Sequence, residues 1–172
     1  AGPTREPLDP VRYITNRSSG KMGYAIAAEA RRRGAEVLLV SGPVNLSIPA
    51  GVERINVTTA DEMHSCVMEK YKDYDIIVLM AAVADYKSSD IKTSKIKKDG
   101  DNLTLELTKN KDIAFELGQI KGDKLLIGAC AETENLDKNA LRKLEKKNFD
   151  LIAANDVTIK GADFEVDTNV IK

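Results

Sequence analysis

Short apolar segments alternate with amphipathic segments of helical period along this chain of 172 residues. The apolar segments predict strands at residues 36–40, 52–57, 75–81, 124–130 and 150–154. The amphipathic segments predict helices at residues 20–34, from a capping box at Thr59–Glu62 onwards, at 111–120 and at 137–148. This alternation predicts βαβ units, and therefore an α/β fold with a doubly wound, mainly parallel sheet. The segment 75–81 is apolar throughout after its first residue, which predicts a strand buried on both faces.

The composition argues against several classes of protein. The 26 Lys and Arg residues nearly balance the 27 Asp and Glu residues, and the net charge of -1 does not fit a general nucleic-acid binder. The longest apolar stretch, residues 76–84, is far shorter than the ~20 residues of a membrane-spanning helix. Because the chain has only two cysteines and one histidine, a zinc scaffold is not expected, and we predict a protein of the reducing cytoplasm.

One segment departs from the alternation of strands and helices. Residues 94–108 alternate with period two around Asp99-Gly100, which predicts a β-hairpin. A two-stranded ribbon has little of its own to bury, so we expect it to pack on another subunit or to close over a ligand. We therefore predict an inserted arm at about residues 87–109.

The two ends of the chain are predicted to lack regular partners. All five prolines lie within the first 49 residues, and residues 1–19 are expected to form a turn-rich loop. A doubly wound sheet usually begins with a strand, which we expect before Ala1, and residues 157–172 have no clear partner. We predict a single domain over residues 1–172 whose first strand and C-terminal end are not included.

The junction between the opening loop and the first helix combines glycines with small hydroxyl residues. A helix N-terminus favours an anion because its N–H groups are free and its dipole is positive there, and Gly20 lets a phosphate approach the backbone. The residues of such a site would be Ser18, Ser19 and Gly20. The same residues also fit an ordinary Ser-capped helix, and the local sequence leaves both interpretations open.

Two better-known nucleotide motifs are absent. A dinucleotide fingerprint needs GxGxxG and an acidic residue after the next strand, but Ser18 stands at the first glycine and residues 41–43 are Ser-Gly-Pro. A P-loop needs Ser or Thr after its lysine, and Lys21 is followed by Met22. An NAD(P) oxidoreductase and a P-loop ATPase are therefore weak interpretations.

The nucleophiles and bases of common hydrolases are missing as well. No GxSxG motif occurs in the chain. His64 lies within an amphipathic helix, where we predict a surface residue. Cys66 and Cys130 have the spacing of core residues and are predicted to serve packing.

Polar residues follow three of the predicted strands, at residues 81–86, 131–133 and 155–156. Doubly wound sheets bind ligands at the carboxyl ends of their strands, so these segments predict a shared site. Asp85 offers a carboxylate for either a cation or a ribose. The Asn155-Asp156 pair fits a simple turn as well as it fits such a site.

Taken together, these motifs resemble the phosphopantothenoylcysteine synthetase family, the synthetase half of the bifunctional coenzyme A biosynthesis flavoprotein. The resemblance covers nearly the whole chain and rests on five segments in the order of the family, AGPTREPLDPVRYITNRSSGKMG (1–23), AAVADY (81–86), KIKK (95–98), AETEN (131–135) and AANDV (153–157). It implies a Rossmann-like, CTP-dependent ligase of coenzyme A biosynthesis that acts as a homodimer. The inserted hairpin would then be an arm for dimerisation and for a mobile flap.

The resemblance implies a reaction in two steps. The carboxylate of 4'-phosphopantothenate attacks the α-phosphate of CTP, which gives an acyl-cytidylate and pyrophosphate. The amine of cysteine then attacks the acyl group, which gives 4'-phosphopantothenoylcysteine and CMP. Mg²⁺ is expected to accompany the triphosphate, and a flavin-dependent decarboxylase is expected as a fused or associated partner. Neither a nucleic acid nor a membrane is an expected partner.

The resemblance also implies roles for individual residues. Asn16 would act in the conversion of the acyl-cytidylate, and Arg12 and Ala82 match positions linked to the same intermediate. Ser18, Ser19 and Gly20 would belong to the substrate and acyl-phosphate side. Contacts with CTP are implied for Leu79, Met80, Ala81, Asp85, Lys95, Lys111, Asp112, Ile113, Ala114, Ala129, Lys143 and Lys147.

Two of these residues carry particular expectations. Lys95 matches the lysine of the flap that closes on the nucleotide. Asp85 is the candidate for holding the divalent cation, although it could equally contact the ribose. From spacing alone, Lys143 and Lys147 also fit the solvated face of a charged helix.

Positive charge is concentrated in three of the segments to which the resemblance assigns phosphate contacts. Residues 1–34, 87–98 and 138–147 each carry a net charge of +4, so the rest of the chain is strongly acidic. This distribution favours small polyanions as ligands. A reductase that uses NAD(P) and a non-catalytic domain that dimerises through its hairpin are the alternatives.

Overall fold

The computed structural model describes residues 1–98, 100, 102–132, 134–156 and 170–172, without the side chains of Glu132 and Asp156. Its strands are β1 (Gly2–Pro3), β2 (Arg5–Pro7), β3 (Tyr13–Thr15), β4 (Leu38–Ser41), β5 (Glu53–Asn56), β6 (Ile76–Leu79), β7 (Ala81–Ala82), β8 (Tyr86–Ser88), β9 (Leu107–Lys109), β10 (Leu125–Glu132) and β11 (Leu151–Asp156). Its α-helices are α1 (Lys21–Arg32), α2 (Ala60–Lys70), α3 (Ile113–Ile120) and α4 (Leu136–Lys146).

Parallel strands form the centre of the fold. β4 pairs with β5, β1 pairs with β7, and β10 pairs with both β6 and β11, all in parallel. The N–H of Ala1 donates to the carbonyl of Val40 at 2.7 Å, and the N–H of Gly42 donates to the carbonyl of Ala1 at 2.9 Å, which joins β1 to β4. Only Met80 separates β6 from β7, so these two segments occupy one position in the sheet. The order across the sheet is then β5, β4, β1, the β6–β7 position, β10 and β11. This doubly wound order confirms the predicted Rossmann-like α/β sheet.

Helices cover both faces of the sheet, but to different extents. α2 and α3 pack on one face in a core of Val57, Met63, Ile113, Leu117, Leu126 and Phe149. α1 packs on the opposite face near β4, in a cluster of Tyr24, Ala27, Leu39 and Val52. α4 adds a small cluster of Cys130, Ala140 and Ala154. The packing role predicted for the two cysteines is confirmed, since Cys66 also contacts the first core.

The prediction that residues 75–81 are buried on both faces is wrong. Ile77 and Leu79 pack against the core, whereas Ile76 and Val78 are 54% and 37% exposed. Leu125, which pairs with Ile76, is also exposed. The physical reason is that α1 covers only the half of this face near β1 and β4, and no other described helix covers the remainder.

Most helix signals are confirmed. Thr59 and Glu62 form the predicted capping box, with the N–H of Glu62 donating to Thr59 Oγ1 at 3.2 Å. α1 approaches the sheet closely at Gly23, where a Cβ atom would come within 2.6 Å of the Cβ of Ala1. His64 was expected on the surface, and this expectation is wrong, because its Nε2 lies 2.7 Å from a carboxylate oxygen of Glu116 at the buried contact between α2 and α3.

Two segments predicted as loop or hairpin differ from expectation. The opening residues contain β1 and an antiparallel pair of β2 with β3, so the prediction of a loop over residues 1–19 is wrong there. β1 occupies the central first-strand position of the sheet. The base of the arm is an antiparallel pair of β8 with β9, but residues 94–98 and 102–106 form no strand. Asp99, in the predicted turn, lies outside the described residues.

The last described residues pair with the edge of the sheet. Ile171 forms an antiparallel bridge with Asn155, and the backbones of Lys172 and Ala154 exchange two hydrogen bonds of 2.9 and 3.0 Å. The expectation of no partner is therefore wrong for residues 170–172, while residues 157–169 lie outside the described part. In the described chain, the helices are too short or too polar to cross a lipid bilayer.

Candidate functional site

A cavity of about 1010 Å³, the first cavity, lies at the carboxyl ends of the parallel strands. Its walls are the loop before α1, the first turn of α1, and the ends of β6, β7, β10 and β11. This is the edge at which doubly wound sheets bind ligands. The predicted site residues that line it are Asn16, Ser18, Ser19, Gly20, Leu79, Met80, Ala81, Ala82, Ala129 and Lys143.

A second cavity, of about 520 Å³, adjoins the first. It is bounded by the segment that follows β7, by the start of α3 and by the C-terminal end of α4. The predicted site residues that line it are Leu79, Ala81, Asp85, Lys111, Asp112, Ile113, Ala114, Ala129, Lys143 and Lys147. The two cavities share five lining residues and therefore adjoin each other, namely Leu79, Ala81, Val83, Ala129 and Lys143.

Asn16 is held at the rim of the first cavity by a bond to a distant part of the chain. Its Nδ2 donates to the carbonyl of Val83 at 3.0 Å, across 67 residues of sequence. The preceding Thr15 donates its hydroxyl to the carbonyl of Thr4 at 2.7 Å. These bonds fix the orientation of the Asn16 side chain relative to the end of β7, which is what a residue that contacts a reactive group requires.

The loop before α1 presents the N-terminus of the helix without a side-chain cap. Gly20 is the N-cap residue, with φ of 78°, and no side chain bonds to the first turn from that position. The hydroxyls of Ser18 and Ser19 instead accept the N–H groups of Gly20 and Lys21, at 3.3 and 3.4 Å. The first turn of α1 carries no acidic residue. A helix N-terminus that has no side-chain cap from its N-cap residue and no acid in its first turn suits an anion, because the helix dipole is positive there.

Lysines give the second cavity its positive charge. Lys109, Lys111, Lys143 and Lys147 line it, against the carboxylates of Asp85 and Asp112. Asp112 is already engaged, because its Oδ1 accepts the N–H of Phe115 at 3.1 Å as the N-cap of α3. Lys147 lies 3.1 Å from the same oxygen. The net charge of the cavity lining therefore suits a polyanion, and Lys143 and Lys147 both belong to that lining.

Asp85 is the carboxylate best placed to hold a cation in the second cavity. Its backbone carbonyl accepts the N–H of Asn110 at 2.9 Å, which ties its segment to the start of the following loop. Among the described residues, no group of three or more His, Cys, Asp or Glu side chains could hold a metal ion by itself. One carboxylate beside a phosphate site is nevertheless how Mg²⁺ commonly binds, because the ion takes its other ligands from phosphates and water.

Two predicted site residues line neither cavity. Arg12 lies in the turn between β2 and β3, where its Nη2 donates to the carbonyl of Ile96 at 2.8 Å. Lys95, the predicted flap lysine, has an exposed side chain. The structure therefore brings these two residues close to each other in the fold, but away from the lining of both cavities.

The sequence did not indicate two buried polar residues that support the site. Thr4 is fully buried, and its hydroxyl accepts the N–H of Ala84 at 3.0 Å, next to Asp85. Asp9 accepts three backbone N–H groups, one of them from Ile96. In a segment rich in proline, threonine and aspartate are typical of turns, so their sequence context does not indicate a buried role. Only the long-range pairing of the chain shows what they hold.

Comparison with known proteins gives a consistent family. The family model described as "DNA/pantothenate metabolism flavoprotein C-terminal domain" matches residues 1–172. The chain is 49% identical, over 174 residues, to the Coenzyme A biosynthesis bifunctional protein CoaBC of Vibrio parahaemolyticus serotype O3:K6, a match that covers 99% of this chain and 44% of that protein. It is also 49% identical to the protein of the same name from Escherichia coli strain K12, of which 43% is covered. The chain thus spans less than half the length of these relatives.

Solved structures agree with this result. A crystal structure of the C-terminal domain of Coenzyme A biosynthesis bifunctional protein CoaBC superposes with a TM-score of 0.81 at 45% identity, covering 91% of this chain and 74% of that one. The structure of the DNA/pantothenate metabolism flavoprotein from Streptococcus pneumoniae also gives a TM-score of 0.81, at 26% identity, covering 92% of this chain and 80% of that one.

Proposed function

Because this chain belongs to the DNA/pantothenate metabolism flavoprotein C-terminal domain family, we propose that it carries out the CTP-dependent ligation of 4'-phosphopantothenate to cysteine. The observation that carries the proposal is the pair of adjoining cavities at the carboxyl ends of the sheet. One cavity contains an uncapped helix N-terminus, and the other contains four lysines. A reaction that joins two phosphorylated substrates needs two such anion sites side by side.

The proposed first step takes place where the cavities meet. The triphosphate of CTP binds among the lysines of the second cavity, and the phosphorylated acid binds against the loop of the first. The carboxylate attacks the α-phosphorus, an acyl–phosphate bond forms, and the bond to pyrophosphate breaks. The side chain of Lys143, which lines both cavities, neutralises charge that develops at the α-phosphate.

The proposed second step transfers the acyl group. The amine of cysteine attacks the acyl carbon, the carbon–oxygen bond to CMP breaks, and the amine loses a proton as the amide forms. Asn16 orients the acyl-cytidylate by hydrogen bonding, since its position is already fixed by Val83. Ala82 lines the first cavity nearby and leaves room for the intermediate.

Mg²⁺ is the cation proposed for the nucleotide. The residues present fit it, because Asp85 supplies one carboxylate and the triphosphate supplies the remaining charged oxygens. When bound, the ion would neutralise phosphate charge and favour departure of pyrophosphate. Asp85 would hold it from the segment that follows β7.

The proposed assembly is a cytoplasmic homodimer formed through the arm, with a flavin-dependent decarboxylase as a fused or associated partner. Leu103, Leu105 and Leu107 alternate along the arm and are 57%, 38% and 43% exposed. Three exposed apolar side chains within one short segment are typical of a surface that another chain covers. The relatives named above are called bifunctional, which supports a second activity in the same polypeptide.

A pyrophosphate-release assay tests the proposed reaction. The intact protein is supplied with 4'-phosphopantothenate and Mg²⁺, with CTP or ATP, and with or without cysteine. With 4'-phosphopantothenate and CTP but no cysteine, we expect a burst of pyrophosphate. After cysteine is added, we expect sustained turnover. Calorimetry with CTP and NADPH separates the alternatives, because tight binding of NADPH without CTP would favour a reductase, and binding of neither would favour a non-catalytic dimer.

A further inference from the structure

The segment at residues 92–96 is docked on the turn between β2 and β3 through its backbone. The N–H of Lys92 donates to the carbonyl of Leu8 at 3.0 Å. The N–H of Ile96 donates to Asp9 Oδ2 at 3.0 Å, and the carbonyl of Ile96 accepts from Arg12 Nη2 at 2.8 Å. Both backbone groups of Ile96 are therefore held by side chains more than 80 residues away in sequence.

The Asp9 carboxylate is fully buried and is committed to this arrangement. Its Oδ1 accepts the N–H groups of Val11 and Arg12, both at 2.8 Å, which fixes the side chain within its own turn. Its other oxygen faces Ile96, and the guanidinium of Arg12 lies 3.8 Å away. These bonds, the one from Ile96 foremost, hold the pKa of Asp9 below its ordinary value, so it is ionised at neutral pH. A buried carboxylate needs such partners, and Ile96 supplies one of them.

The docked segment carries Lys95, which we take, from the family resemblance, to contact a phosphate of the nucleotide in the proposed reaction. Lys95 immediately precedes Ile96, and its side chain is exposed. Because Ile96 is held at both its N–H and its carbonyl, the backbone position of Lys95 is fixed relative to the turn. The same turn continues through β3 to Asn16 in the first cavity. The turn thus connects the two residues that are proposed to act on the nucleotide and on the acyl group.

We propose that Asp9 and Arg12 are positioning residues that hold the backbone of residues 92–96, and thereby set the place from which Lys95 meets a phosphate of the nucleotide. The role of the phosphate rests on the proposed function, whereas the holding of the segment does not. Arg12 acts here through Ile96 and not by contact with the reacting atoms.

The holding of the segment is tested by limited proteolysis of the intact protein with trypsin, which cleaves after Lys92, Lys95, Lys97 and Lys98. Asp9→Asn removes the charge that binds the N–H of Ile96, and we expect cleavage in this segment to become at least tenfold faster. Asp90→Asn is the matched control, because Asp90 pairs with Lys92 on the surface of the same segment and makes no bond to Ile96. Equal cleavage of the two variants would overturn the proposal.

Ile96→Pro tests the same bond from the other side and covers the case in which Asp9→Asn disturbs its own turn. Proline lacks the N–H that Asp9 accepts but leaves the turn unchanged. Trypsin does not cleave a Lys-Pro bond, so cleavage is then measured after Lys92, Lys97 and Lys98. Faster cleavage at these sites supports the docked arrangement, and an unchanged rate contradicts it.

The positioning role is tested by the pyrophosphate burst with CTP. We expect the burst rate to fall at least tenfold in Asp9→Asn, and we expect a similar fall in Lys95→Gln. The KM for CTP should rise more in Asp9→Asn than in Asp90→Asn. Faster proteolysis with an unchanged burst would show that the segment is held but does not position Lys95. If the parent protein forms no pyrophosphate from CTP, the proposed function and the phosphate role fail together, while proteolysis still decides whether the segment is held.

Discussion

At the scale of single residues, the candidate site is built from side chains whose positions are set by backbone groups far away in the chain. Asn16 is bonded to Val83 across 67 residues, and Thr4 accepts from Ala84 across 80 residues. Each bond ties the opening segment to the segment that follows β7. A small displacement of either segment therefore changes the geometry of both cavities together.

Asn16→Asp is expected to impair the second step more than the first. A carboxylate keeps the size of the side chain, but it cannot donate to the carbonyl of Val83 and it places negative charge beside an anionic intermediate. We expect pyrophosphate to form within about threefold of the parent rate and amide formation to fall by roughly 100-fold, equivalent to ~2.7 kcal/mol. Single-turnover assays with and without cysteine measure the two steps, and amide formation at the parent rate would contradict the role given to Asn16.

At the scale of elements, the second cavity depends on how closely α3 meets the end of α4. A Cβ atom built on Gly118 of α3 would overlap the carbonyl oxygen of Lys147, so only glycine fits this contact. Asn148 reinforces it by donating its side-chain amide to the carbonyl of Gly118 at 2.8 Å. The contact places Lys147 opposite Asp112 at the start of α3.

Gly118→Ala is expected to separate the two helices and to lower the free energy of unfolding by about 1–3 kcal/mol, as overpacking of a buried contact does. The Kd for CTP should rise in the same variant, because Lys147 moves with the end of α4. Gln119→Ala, at an exposed position of the same helix, serves as the control. Urea unfolding and calorimetry with CTP give the two values, and a variant as stable as this control would contradict the close contact.

The C-terminal end of α3 is tied to the sheet by a partly buried ion pair that responds to acid. The Lys121 amine donates to both oxygens of Asp150, at 2.7 and 2.8 Å, and Asp150 also accepts the N–H of Leu126 at 2.7 Å. The Leu126 bond first, and Lys121 second, lower the pKa of Asp150 from its ordinary value of 3.8. A lowered carboxyl pKa gives stabilisation that is present above the unfolded value and is lost as the pH falls through the folded value.

Asp150→Asn should therefore make the melting temperature depend less steeply on pH in the acidic range. Between about pH 5 and about pH 3, the melting temperature of the parent protein is expected to fall more steeply than that of the variant. Asp123→Asn, at an exposed position nearby, should follow the parent curve. Thermal melts monitored by circular dichroism across this range provide the comparison, and parallel curves for the parent and Asp150→Asn would contradict the assignment.

The sequence predicted helices and buried strands well because their patterns are local. The capping box at Thr59 and the strand that became β10 are specified by residues that lie next to each other in the chain. It failed where the decisive partner is remote. The burial of His64 was not predicted because its partner Glu116 is 52 residues away in sequence. β1 was not predicted because a segment of two residues forms a strand only by pairing with neighbouring strands, which lie far away in sequence. All the site residues implied by the resemblance except Arg12 and Lys95 line one or both cavities, whereas the docking of residues 92–96 has no sequence pattern.

At the scale of the whole molecule, the arm presents apolar side chains that the described part of the fold does not cover. Leu103, Leu105 and Leu107 lie outside the three core clusters of the described residues. Burial of a leucine contributes about 1.5–3 kcal/mol, so three such residues contribute substantially to an interface between two arms.

Leu105→Asp is expected to convert the proposed dimer into a monomer without changing the melting transition of the sheet. A charge in the middle of the apolar row opposes association because it must be desolvated. Ile48→Asp, at an exposed apolar position outside the arm, serves as the control. Sedimentation velocity of the intact protein distinguishes the outcomes, and a dimer that persists in Leu105→Asp would show that this row is not the interface.

The central place of β1 also has a consequence for the order of events during synthesis. β1 lies between β4 and β7, so among the described residues the two halves of the sheet join through β1 and the neighbouring Ala1. At roughly 5–20 residues per second, the ribosome needs roughly 4–16 s to make the stretch from β1 to β7. During that interval the loop that carries Ser18, Ser19 and Gly20 lacks the strand ends that face it. The first cavity can therefore form only after the polypeptide has extended well past residues 18–20.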